Sequence, residues 1–131
     1  MASLTWTLSR PLLMAILEDR LSDRFVAALV WERLGYVAPL SGVGAWLASS
    51  ATPVEWSDAF PEAPQVIASR PASVRLTRSI PTESKQLLKQ QLQFSGYRIT
   101  ELYPRRTRRA TAVNWLLAWL AERSEPLMEQ G

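Results

Sequence analysis

Four arginines lie at the start of a predicted C-terminal helix, in the stretch YPRRTRRATAVNWLLAWLAER over residues 103–123. They are Arg105, Arg106, Arg108 and Arg109. Guanidinium groups bind phosphate and carboxylate groups through paired hydrogen bonds. The N-terminal end of a helix already carries about half a unit of positive charge, so that cations placed there are unfavourable without compensation. The pattern therefore predicts either a bound anion or internal ion pairs at this point of the chain.

The functional interpretation is an anion-binding corner at the carboxyl ends of two predicted parallel strands, where loops lead into helix N-termini. The residues predicted to form it are Arg78, Arg105, Arg106 and Arg109. The alternative is that these cations pair with the acidic segment PVEWSDAFPEAP over residues 53–64, or are solvated. The carboxylates of that segment belong to Glu55, Asp58 and Glu62.

The C-terminal helix also carries a candidate interaction face. At about 100° per residue, apolar side chains occupy nearly its whole circumference. One side holds Val113, Leu116, Leu117 and Leu120, and another holds Arg108, Ala112, Trp115 and Trp119. The second side indicates either a central helix packed on two sides or a partner surface with tryptophan anchors and Arg108 at its rim.

The composition excludes several classes of catalyst. The 131 residues include no histidine and no cysteine, so that disulfides, thiolate chemistry, histidine-based triads and zinc sites are ruled out. An enzyme would have to use Glu101, Tyr103 and the arginines, for example on a phosphorylated substrate, and no paired carboxylates or glycine-rich phosphate loop support this. We therefore predict no catalytic residues, no metal and no cofactor.

The charge distribution leaves the partner open. Net charge is −3 over residues 1–66 and +6 over residues 67–131. This asymmetry indicates either an anionic partner or two halves that neutralise each other within one fold. We predict a small non-catalytic module that binds a protein partner or a small anion. Nucleic acid is the less favoured partner, because no known binding signature is present.

No membrane association is expected. The apolar run LLMAIL at residues 12–17 is too short to span a bilayer and is followed at once by charged residues. No signal peptide is apparent, so that the expected location is the cytoplasm. The oligomeric state is left open.

The sequence patterns of the elements that must position these residues predict an α+β fold in a single domain over residues 1–131. Ser9 and Ser22 each cap a helix, and Gly35 ends the second, which indicates an N-terminal helical hairpin. Residues 36–39 and 44–48 are predicted to form a short β-hairpin. Alternation in SVRLTRS (73–79) and YRITEL (97–102) predicts two strands around a helix, a β-α-β unit that completes a small mixed sheet.

The C-terminal helix is predicted to pack on this sheet over residues 107–123. The predicted shared core consists of Val74, Leu76, Leu88, Leu92, Ile99, Leu116, Leu117 and Leu120.

Three stretches carry a resemblance to a known family. The words RPASVRLTRSI and RRTRRATAVNWLL, read beside LVWERLGY at residues 29–36, resemble a domain family of cyanobacteria that has no assigned activity. The resemblance runs from the helical hairpin through the last helix. It implies a soluble cyanobacterial or plastid protein, and it supplies no site residues because none are defined for the family.

Overall fold

The computed structural model describes residues 4–130, and helices form its framework. The six α-helices are α1 (Arg10–Leu17), α2 (Asp23–Arg33), α3 (Val54–Ala59), α4 (Arg70–Ser79), α5 (Leu87–Leu92) and α6 (Pro104–Glu122). Two short 3-10 turns, Thr82–Ser84 and Ile99–Glu101, precede α5 and α6.

Helix α6 is the central element. Helices α1, α2, α4 and α5 all pack against it. Its second half is buried on nearly every side, including Leu116 and Leu117, which are fully shielded from solvent. A helix that is apolar nearly all round must be enclosed by other elements, and here four helices enclose it.

The two N-terminal helices begin where their capping residues predict. The Ser9 hydroxyl accepts a hydrogen bond from the Leu12 N–H at 3.2 Å, and the Ser22 hydroxyl accepts one from the Phe25 N–H at 3.1 Å. Gly35 follows α2 with φ +85°, as predicted for a left-handed residue at a helix end. A Cβ on Gly35 would lie 2.9 Å from the carbonyl carbon of Ala51, so the chain also approaches too closely there for a side chain.

The predicted mixed sheet is wrong. Residues 73–79 lie in α4, and within residues 4–130 only isolated β-bridges occur. The Ser69 hydroxyl caps α4 by accepting from the Ala72 N–H at 3.4 Å, and a proline lies in its first turn. Alternation in SVRLTRS was misleading because Ala72 and Leu76, four residues apart, bury one face of a helix equally well.

The second predicted strand is also absent. Residues 97–102 contain the 3-10 turn Ile99–Glu101, and Ile99 is 88% exposed, so the alternation in YRITEL has no buried face. Helix α6 therefore packs on helices rather than on a sheet. Of the predicted core, Leu76, Leu92, Leu116, Leu117 and Leu120 are buried, while Val74 and Leu88 are half-buried.

The predicted β-hairpin is reduced to a single antiparallel bridge. Val37 and Leu47 exchange both backbone hydrogen bonds, at 2.8 and 3.0 Å, and Leu47 also forms a bridge with Glu62. Pro39 lacks an N–H, and the turn that follows uses two glycines at positive φ. The pairing therefore does not extend into a ladder.

The central position of α6 predicts a large loss of stability on truncation of its buried face. Leu117→Ala should lower the free energy of unfolding by about 2 to 5 kcal/mol, the range for deleting a packed leucine. Leu40→Ala is the control, because Leu40 is fully exposed. Urea denaturation measures both, and a loss below about 0.5 kcal/mol at Leu117 would show that α6 is peripheral.

Candidate functional site

The arginines of α6 differ in whether a carboxylate of the same chain pairs with them. Arg109 is fully buried and is one of the paired arginines. Its Nε donates to the Ile16 carbonyl at 3.0 Å, one terminal nitrogen donates to Asp23 Oδ1 at 2.6 Å, and the other donates to the Leu21 carbonyl. The guanidinium thus binds the connection between α1 and α2 through a carboxylate and two backbone carbonyls.

Arg105 binds the same connection one turn earlier on α6. It holds both carboxylate oxygens of Asp19, at 2.8 and 2.7 Å, and its Nε donates to Asp23 Oδ2 at 2.9 Å. These hydrogen bonds hold the pKa of Asp19 below its usual value and raise the pKa of Arg105. Two carboxylates therefore compensate two of the cations.

The compensating carboxylates flank the α1–α2 turn and do not come from the acidic segment at residues 53–64. Asp19 follows α1 with φ 60°, a left-handed conformation that aspartate tolerates better than most residues. Asp23 begins α2, where a negative charge is favourable at the helix N-terminus.

The remaining residues of the predicted anion corner do not join this cluster. Arg106 lies over the Tyr97 ring, 5.1 Å from its centroid, and pairs with Glu101 at 3.3 Å. Arg78 is exposed on α4 and lines a cavity of about 290 Å³ that also contains Glu55, between α3 and α4. The other three arginines of the predicted anion corner, Arg105, Arg106 and Arg109, do not line that cavity.

The candidate interaction face is divided among different surroundings. Trp115 is buried, and its indole N–H donates to the Ser79 hydroxyl at 3.0 Å. Trp119 is half-buried between two guanidinium groups, those of Arg33 at 5.2 Å and Arg123 at 4.0 Å from its ring. The structure therefore does not bring these tryptophans together with Arg108 on one open surface.

Arg108 faces a groove of about 540 Å³ between α4 and the start of α6. The groove is lined by Arg70, Ser73, Val74, Thr77, Leu102, Tyr103, Pro104, Thr107, Arg108 and Thr111. Arg108 donates to the carbonyls of Ile67 and Ala68 at 3.1 and 3.3 Å, which fixes it at the groove wall. No carboxylate is among the residues described as lining this groove.

The starts of two helices meet at the same groove. Arg70 is the first residue of α4, and Pro104 is the first residue of α6. Both helix ends carry partial positive charge, which adds to the charges of Arg70 and Arg108. Arg70 is exposed, and its side chain forms no ion pair or hydrogen bond with any group of residues 4–130.

Arg70, Asp19 and Asp23 were not among the residues predicted for the anion corner, although local signals for them exist. Ser69 followed by a proline two residues later indicates a helix start at Arg70. Asp23 directly follows the predicted cap Ser22. The arginine partners of Asp19 and Asp23 lie 82 or 86 residues away in sequence, so that spacing alone carries no information on the pairing.

Over residues 4–130, no group of three or more acidic side chains is arranged to hold a metal ion. No helix within that range combines the length and hydropathy required to cross a bilayer.

Comparison with known proteins identifies the family. A family model described as "Domain of unknown function (DUF1823)" matches residues 7–121, and the chain belongs to this family. A protein whose structure was determined by solution NMR is 50% identical in sequence to this chain. The match covers 92% of this chain and 98% of the other, with a TM-score of 0.76. A search of curated proteins finds no match.

The ion pairs of Arg109 predict a strong dependence of stability on Asp23. Asp23→Ala leaves a fully buried guanidinium without its closest carboxylate, and we expect the free energy of unfolding to fall by about 3 kcal/mol. Asp58→Ala, in the exposed acidic segment, is the control and should change it by less than about 0.5 kcal/mol. Equal losses for the two variants in urea denaturation would contradict the assignment of Asp23 as the carboxylate that compensates Arg109.

The lowered pKa of Asp19 predicts an acid-sensitive contribution to folding. Its folded-state pKa lies below the unfolded value of about 3.9, so this contribution is present above that pH and is lost as pH falls through the folded pKa. Asp19→Asn keeps a residue that tolerates positive φ but removes the titration. Urea denaturation from pH 5 to pH 2 should show a shallower decline for the variant, and parallel declines would contradict the assignment.

Proposed function

We propose that this protein is a non-catalytic binding module whose groove between α4 and α6 binds an anionic group of its ligand. The observation that carries the proposal is the pair Arg70 and Arg108, placed beside the positive ends of two helices with no carboxylate described in the groove. A ligand carboxylate or phosphate would supply the missing negative charge.

Two other arginines at the start of α6 differ from Arg108 because carboxylates compensate them. Arg105 and Arg109 face the same unfavourable helix end and are compensated by Asp19 and Asp23. Each uncompensated cation near a helix N-terminus costs about 0.3 to 1 kcal/mol. An anion bound between Arg70 and Arg108 would remove that cost and gain charge-assisted hydrogen bonds.

The proposal moves the anion site from the position predicted by sequence. Arg105, Arg106 and Arg109 are occupied by carboxylates of the same chain, and Arg78 lines a different cavity. Of the predicted interaction face, only Arg108 contributes to the proposed site. The non-catalytic part rests on the sequence, which supplies neither histidine nor cysteine as a general base or nucleophile.

The cellular setting is part of the same proposal. The resemblance of its sequence to a cyanobacterial family supports a cyanobacterial or plastid source. The shortness of the apolar run at residues 12–17, which charged residues follow at once, supports a cytoplasmic location.

Anion-specific stabilisation tests the site. Phosphate or sulfate should raise the melting temperature more than chloride does at matched ionic strength, because a ligand that binds only the folded state stabilises it by mass action. The double variant Arg70→Gln with Arg108→Gln should remove that difference. The matched control, Arg98→Gln with Lys89→Gln, makes the same charge change at exposed positions outside the groove and should retain it.

Two results would overturn the proposal. Equal responses to phosphate and chloride in the unmodified protein would mean that the groove binds no anion. Loss of the phosphate response in Arg78→Gln, with retention in the double variant, would return the site to the cavity between α3 and α4.

A further inference from the structure

The groove does not end at the arginines. A second cavity of about 270 Å³ continues along α6 between α4 and α5. The two cavities share Thr77, Thr107 and Thr111, so they adjoin each other along α6, and together they are called the α6 groove. The second cavity contains Lys85, whose Nζ donates to the Thr77 carbonyl at 3.3 Å, and no carboxylate is described among the residues that line either part.

We infer that the α6 groove binds an acidic segment of a partner protein in an extended conformation. Carboxylates of the segment would bind Arg70 and Arg108 at one end and Lys85 at the other. This inference rests on the proposed function, to which it adds the chemistry of the partner.

The length of the groove favours a peptide over a small anion. From Pro104 to Asn114, the lining residues of α6 follow about 15 Å of helix axis at about 1.5 Å per residue. An extended chain advances about 3.3 Å per residue, so the groove accommodates about four or five residues. A free phosphate would contact only one end and leave the other cation unused.

Threonine hydroxyl groups that line the groove are already bonded within their own helices. Thr77 donates to the Ser73 carbonyl at 3.1 Å, and Thr111 donates to the Thr107 carbonyl at 3.2 Å. The charged donors that line the groove are Arg70, Arg108 and Lys85, and the apolar side chains of Val74 and Leu88 also line it. This arrangement suits acidic residues separated by an apolar one.

A charged peptide also fits better than a nucleic acid strand. Single strands bind by stacking successive bases on several aromatic side chains as well as by backbone charge. Tyr103 is the one aromatic side chain described in the groove, and it lies at the end that contains Arg108. The groove thus has the charge that an acidic segment needs but lacks a series of stacking platforms.

The test is a fluorescence anisotropy titration with the peptide Glu-Glu-Leu-Glu-Glu, labelled and capped at both termini. Its Gln-Gln-Leu-Gln-Gln counterpart and a labelled oligo(dT) are the comparison ligands. The acidic peptide should bind, its glutamine version should not, and affinity should fall with salt because the contacts are exposed ion pairs.

Substitutions at the two ends separate the contributions. The double variant Arg70→Gln with Arg108→Gln should weaken peptide binding roughly tenfold or more, as expected for loss of charge-assisted hydrogen bonds. Lys85→Gln should weaken it about threefold, the effect of an exposed ion pair. Lys89→Gln makes the same charge change outside the groove and should leave the affinity unchanged.

The outcomes distinguish this inference from the proposed function. If phosphate still stabilises the protein but the peptide does not bind, or Lys85→Gln has no effect, the acidic-segment inference is wrong and the anion site stands. Tighter binding of oligo(dT) than of the peptide would overturn it in favour of a nucleic acid. Absence of both phosphate and peptide binding would overturn both proposals.

Discussion

The buried guanidinium of Arg109 is the constraint on which the arrangement of the helices depends. A fully buried cation is unstable unless its charge and its hydrogen-bond donors are satisfied in place. Asp23 and the carbonyls of Ile16 and Leu21 meet this requirement, and all three belong to the end of α1, the α1–α2 turn or the start of α2. The two N-terminal helices are therefore held to one end of α6, while the apolar side chains of α6 supply most of its burial.

The same contacts account for part of the charge asymmetry of the chain. The acidic N-terminal half supplies Asp19 and Asp23, and the basic C-terminal half supplies Arg105 and Arg109. A further ion pair between the two halves, Arg10 with Glu129, lies outside this corner. Across α6 the cations facing α4 have no carboxylate in their groove, so one helix presents a compensated side and an uncompensated side.

The cations on the two sides of α6 differ in the groups that they bind. Arg105 and Arg109, at the α1–α2 corner, bind carboxylates of the same chain. The cations of the α6 groove are attached to the same rigid helices but bind backbone carbonyls only, or no described group. A site built on helices packed around a common core is held in place by that core, which favours binding to a preformed groove.

The sequence by itself determined the capped N-terminal helices, the C-terminal helix and the exclusion of histidine and cysteine chemistry. Caps and helix-ending glycines are local signals, readable within a few residues of Ser9, Ser22 or Gly35. Only the tertiary structure decided that residues 73–79 are helical, because a short alternating stretch fits both periods until its neighbours bury one face. It also decided which arginines are compensated: Asp19 and Arg105 are 86 residues apart, and charge pairing over that separation depends on packing that local sequence does not encode.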